Sequence, residues 1–197
     1  MSEASTQRHT LRIGCASGFW GDSEAAPLRW SEVVPLAFLG ALVNGSAART
    51  AVAVWSQPAS RLACAACLVP QLLALGGALA AQLAAAPERV WLLASADLAH
   101  THPAAVNPYP PNASAAGTFD AAAGEWAAAL DADALLRRAG AVVDDALSCG
   151  FTGMVLLHAA LAAAPGGLRA WTPRLEAPPV APTYYGMLAA HFEHTGG

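Results

Sequence analysis

The sequence predicts an α/β domain whose sheet is mostly parallel and flanked by helices. Three observations carry that expectation. Residues 50–56 (TAVAVWS) and 89–95 (RVWLLAS) are continuous apolar runs of strand length, and residues 62–86 between them form an uncharged, alanine- and leucine-rich stretch of helical length. Strand, long helix, strand is a βαβ unit, and unbroken apolar strands suit a parallel sheet covered on both faces. A chain of 197 residues can bury one such core. Residues 1–10 are expected to be a flexible N-terminus and residues 11–194 a single domain.

The remaining elements follow in order. Residues 11–15 are a short apolar run ending in a glycine-rich loop at 18–21. Ser31 is suited to cap a helix through residues 33–39, with Pro35 tolerated in its early turns. The stretch 62–86 is long enough to span a bilayer. It is mostly alanine, however, and Pro70, Gln71, Gly76 and Gln82 interrupt it, so a buried crossover helix is expected. Residues 103–117, rich in Pro, Asn and Ala, read as an irregular lid or wall. Phe119 opens a helix to Leu130, and Asp131 or Asp133 starts another that runs towards Cys149. Gly150 breaks it, and residues 151–163 form a further apolar helix containing His158. Pro165-Gly166-Gly167 turns the chain into an edge strand at 168–175, and residues 182–188 lead into a last short apolar element.

Composition narrows the function. The chain is 55% hydrophobic and 12% charged, with net charge -4 and no basic cluster. Nucleic acid is excluded, because phosphate neutralisation needs clustered cations, and so is an anionic membrane surface. The start, MSEASTQRHT, lacks the apolar segment of a secretory signal, so a cytoplasmic protein is expected. Cys15, Cys64, Cys67 and Cys149 suggest no disulfide framework. Cys64 and Cys67 form a CxxC, a spacing that serves metal binding or redox chemistry. With no second CxxC and no neighbouring histidine, they are expected to be buried small side chains.

Asp97, His100 and His102 stand just past the second expected strand, where open α/β sheets bind ligands. In an extended segment, residues two apart face the same way, so both imidazoles could share one pocket; in a turn they need not. Histidine exchanges protons near neutral pH, and a carboxylate nearby fixes its tautomer. The other reading is a loop whose polar side chains satisfy backbone groups. His158 reads as a hydrogen-bonded core residue and Asp144-Asp145 as a solvated helix face; Tyr184-Tyr185 could line a pocket but read rather as packing. His9, His191 and His194 are given no role, and there is no phosphate loop, nucleophile elbow or HExxH motif.

Four blocks, in order, resemble the class III, LigB-type extradiol ring-cleavage dioxygenases. WSEVVPLAFLG (30–40) is similar to their W-G-x-x-V-P-L-x-F-L element. LLASADLAHTH (92–102) is similar to their strand ending in S-A-D-x-A-H-x-H or S-G-D-x-S-H. NPYPP followed by FDAAAGEW resembles their G-P-Y-G-F-x-P loop and helix start, and APTYYGMLAAHFE (181–193) their P-T-Y-F-G-M-L segment.

The resemblance implies a non-haem Fe(II) site that opens catechol-type rings with dioxygen, and a histidine acting as acid/base on the substrate. The matching position is His100, with Asp97 and His102 as its local support. The small partners implied are an aromatic substrate and dioxygen. The family's first two iron ligands are N-terminal histidines in P-H-G contexts, whereas only His9, in QRHTL, precedes the Trp30 block. The expectation is a chain lacking the first part of the domain. The third ligand, a carboxylate, falls about where Thr152 stands; Asp144, Asp145 or His158 could substitute, and the metal ligands are left unassigned. The alternative is a non-catalytic member of the fold acting as a binding or interaction protein. Loss of sheet strands would uncover an apolar edge, so self-association or a partner subunit is expected.

Overall fold

The structure is a computed structural model that describes residues 30–44, 52–60 and 63–196. The apolar run at 11–15, the glycine-rich loop at 18–21, Cys15 and His9 lie outside the described residues. The chain divides into two units, residues 1–56 and 57–197. In the first, helix α1 (Trp30–Asn44) includes Ser31 and holds Pro35 within its first two turns.

The second unit is helical with a C-terminal hairpin, which corrects the expected parallel sheet. Its elements are α2 (Val69–Ala85), α3 (Ala113–Ala129), a π-helical segment (Asp133–Ala139), α4 (Gly140–Ala146), α5 (Phe151–Ala163), β1 (Trp171–Val180) and β2 (Met187–His194). The hairpin is antiparallel and is the whole of the described sheet. Residues 52–60 and 89–97 adopt no regular structure. An apolar run becomes a strand only when a neighbour takes its N–H and C=O groups, and none of the described residues forms a ladder with either segment. Their side chains follow suit: Trp91 is 79% and Trp55 53% exposed.

Small residues set the packing of the helices. α2 continues a 3-10 turn (Ala66–Leu68) and lays Leu72, Gly76 and Ala80 against α5. A Cβ on Gly76 would overlap the Ala159 side chain, so only glycine permits this approach. The run 66–85 is long and apolar enough to cross a membrane, and most of its surface is exposed. In α3, α4 and the π-helical segment, Ala116, Ala123, Ala127, Ala134, Ala139 and Ala146 are fully buried. Phe119 and Phe151 meet edge to face at 6.3 Å in the centre of that core.

Trp126 packs on Phe192 of β2, and its Nε1 donates to Nδ1 of His158 at 3.1 Å. His158 is therefore the core histidine that its apolar helix suggested, and burial pushes its pKa down. β1 carries Pro173, Pro178 and Pro179, which suit an edge strand, and its register shifts between Leu175 and Val180.

Cys64 and Cys67 are joined in a disulfide, which corrects the expectation of two inert small side chains.

Candidate active site around His100

The segment 97–102 is fixed by its backbone although it is no strand. Asp97 N–H points at Cys149 Sγ (3.2 Å), and Leu98 N–H donates to Gly186 O (2.8 Å). Ala99 N–H donates to Asp120 Oδ1 (3.0 Å), His100 N–H to Ala146 O (2.8 Å) and His102 N–H to Tyr184 O (3.1 Å). These partners come from α3, the end of α4, the loop before α5 and the tail before β2. Gly186 returns its own N–H to Ala99 O at 2.8 Å. It must be glycine, because a Cβ there would run into the Asp120 carboxylate. Thr101, 1% exposed, closes the arrangement with its single hydroxyl hydrogen shared between the carbonyls of Asn112 and Asp145, both at 3.3 Å.

The segment bends instead of running extended, and the two histidines two residues apart meet different partners. His100 Nε2 lies 3.3 Å from Asp97 Oδ2 and 3.8 Å from Cys149 Sγ. Its ring stacks on Tyr109 at 5.8 Å and meets Tyr184 edge-on at 6.1 Å. Asp97, with Cys149 second, holds the imidazole against the opposing effect of burial and pushes its pKa up to about 9. His100 is consequently a cation at neutral pH, a proton donor held among tyrosines.

His102 Nε2 instead meets Asp120 Oδ2 at 2.7 Å. Burial pushes the Asp120 carboxyl above the usual carboxylate range, with the Ala99 N–H and His102 pulling the other way. An open cleft of about 590 Å³ between α3 and β1 reaches this second pair, lined by Gly117, Gly124, Leu175 and Pro179 among others; His100 is not part of its wall.

Of the three residues anticipated here, Asp97 and His100 are in contact, whereas His102 is engaged with Asp120. Three of the four candidates for a third metal ligand are committed elsewhere. Thr152 Oγ1 donates to Pro58 O (2.8 Å), and Asp144 Oδ1 accepts from Ala65 N–H (2.8 Å). His158 is bonded to Trp126, and Asp145 is exposed. Among the described residues, one group brings metal-binding atoms within 4.8 Å of one another, namely Asp97, His100 and Cys149. One nitrogen, one oxygen and one thiol sulfur are not the two imidazoles and a carboxylate that suit non-haem Fe(II). The described residues therefore do not fit the ferrous iron that the motifs imply.

The sequence alone does not single out Cys149, Tyr109 or Asp120, and it offers Tyr184 as pocket lining only second to packing. Asp120 stands in the FDAAAGEW block and Tyr109 in the expected wall, so both carried a signal. Cys149, one residue before a helix breaker, carried none. A scan against protein-family models and searches of curated proteins and solved structures found no match to this chain.

Proposed function

We propose that this chain is a class III extradiol dioxygenase-like protein that takes a catechol-type ring, with His100 as the acid/base for the ring's hydroxyl groups. One observation carries the reading: a half-buried imidazole, cationic at neutral pH, held by Asp97 and faced by Tyr109 and Tyr184. A flat ring entering against the two tyrosines would place a phenolic oxygen at the imidazolium. The imidazolium would donate its proton to a phenolate oxygen, and the neutral imidazole, reached as pH rises towards about 9, would take the proton of a phenol that titrates at about 10. Asp97 orients the ring and stabilises its charge. The four sequence blocks support the family, and the geometry supports the role of His100.

A second reading, a non-catalytic protein that binds such rings, is favoured by the nitrogen, oxygen and sulfur donor set at His100. One experiment separates them. The chain is purified anaerobically and offered Fe(II); iron stoichiometry, binding of protocatechuate-type catechols and ring cleavage in air are then measured. Cleavage with retained iron, lost in His100→Ala, supports the enzyme. Catechol binding that depends on His100 without iron or cleavage supports the second reading. Cleavage unchanged in His100→Ala refutes the acid/base assignment, and no binding of catechols at all refutes both readings.

A further inference from the structure

We propose that Cys64 and Cys67 form a reversible redox pair that exchanges with small thiols of the glutathione class, and that the disulfide does not serve as a structural staple. This stands independently of the reading of His100. A disulfide stabilises a fold chiefly by restricting the unfolded chain, and the effect grows with the loop that it closes. Only Ala65 and Ala66 lie between these cysteines, so the bridge closes a very short loop and restricts the unfolded chain less than a long-range bridge would.

The turn is instead held by contacts that do not involve the S–S bond. Ala65 is 3% exposed, and its N–H donates to Asp144 Oδ1 of α4 at 2.8 Å. Its carbonyl accepts from Leu68 N–H at 3.1 Å, and the 20-residue helical run begins at Ala66. Reduction would leave the two sulfurs side by side on a fixed turn, which is a high effective concentration for re-forming the bond.

Access and leaving group favour exchange as well. Cys67 is exposed and Cys64 half-buried. A thiolate attacking Cys67 Sγ forms a mixed disulfide and expels Cys64 as a thiolate. The Cys67 N–H, already 3.2 Å from Cys64 Sγ, would hold that thiolate at the start of the helical run. A second thiol then attacks the mixed disulfide and releases Cys67. The net reaction converts the protein disulfide and two thiols into the protein dithiol and one small disulfide, a transfer of two electrons and two protons.

The test uses the full chain. It is equilibrated in glutathione buffers running from fully reduced to fully oxidised, acid-quenched, alkylated and peptide-mapped. Cys64 and Cys67 are expected to go together from fully alkylated to unalkylated, with a midpoint inside the series. A disulfide that survives fully reduced glutathione is a staple and overturns the proposal. So does a pair that stays reduced in fully oxidised glutathione, or that accumulates a single glutathione adduct. Asp144→Ala is expected to move the midpoint towards the oxidised end, because the turn is then less firmly held; an unmoved midpoint overturns the part given to Asp144.

Discussion

Two aspartate–histidine pairs lie close together in this fold, built from the same groups and set in different surroundings. In Asp97–His100 the carboxylate side chain is 43% exposed and the histidine carries the raised pKa, to about 9. In Asp120–His102 the carboxylate is 8% exposed, also accepts the Ala99 amide, and is itself the group whose pKa burial raises. At the exposed acid, the hydrogen bond with Asp97 is the largest cause of the raised His100 pKa, which suits chemistry. A buried carboxylate is bound to the backbone, which suits positioning.

The largest effect should come from the buried pair. Asp120→Ala leaves the Ala99 N–H and the His102 ring without their acceptor, and breaking a buried pair of this kind costs about 3 kcal/mol. Urea unfolding reads it, and a loss below about 1 kcal/mol would put this pair on the level of an exposed one.

The exposed pair should show itself in pH dependence. Because the folded His100 titrates at about 9 against an ordinary 6.5, its contribution to stability is complete below 6.5 and is lost as pH rises through about 9. Asp97→Asn should bring the NMR titration of His100 back towards 6.5 and flatten the fall in stability over that window. A titration left near 9 would mean that Asp97 is not what holds the proton.

Smallest is the effect of the sulfur. Cys149→Ala should lower the His100 titration in the same direction by less than Asp97→Asn does, since Asp97 is the larger influence. The reverse order would make the thiol, and not the carboxylate, the partner that matters.

The helices were more legible in the sequence than the sheet, for a physical reason. The bonds of a helix are local, so Gly150 as a breaker and the apolar residues after it suffice to place α5 (Phe151–Ala163). Asn112 stands inside a segment that reads as loop, yet its side chain accepts the Ala115 N–H and starts α3 six residues before Phe119 is reached. A strand needs a partner that its own residues do not specify. The runs at 50–56 and 89–95 called for burial without saying what would supply it, and the described part of each is irregular. The site was legible in the same uneven way. Asp97 and His100 are three apart and meet, whereas Cys149, Tyr109 and Tyr184 reach His100 from distant parts of the chain.

The exchange of hydrogen bonds between Gly186 and the Leu98–Ala99 backbone gives the site a place in time as well as in space. Residues 184–186 are made after all of α2 to α5, so during synthesis those helices emerge before the histidine segment can be closed. While the ribosome still covers residues 184–186, His102 lacks the Tyr184 carbonyl and His100 lacks the Tyr184 ring. Until then, the histidine centre of a nascent chain stays unassembled.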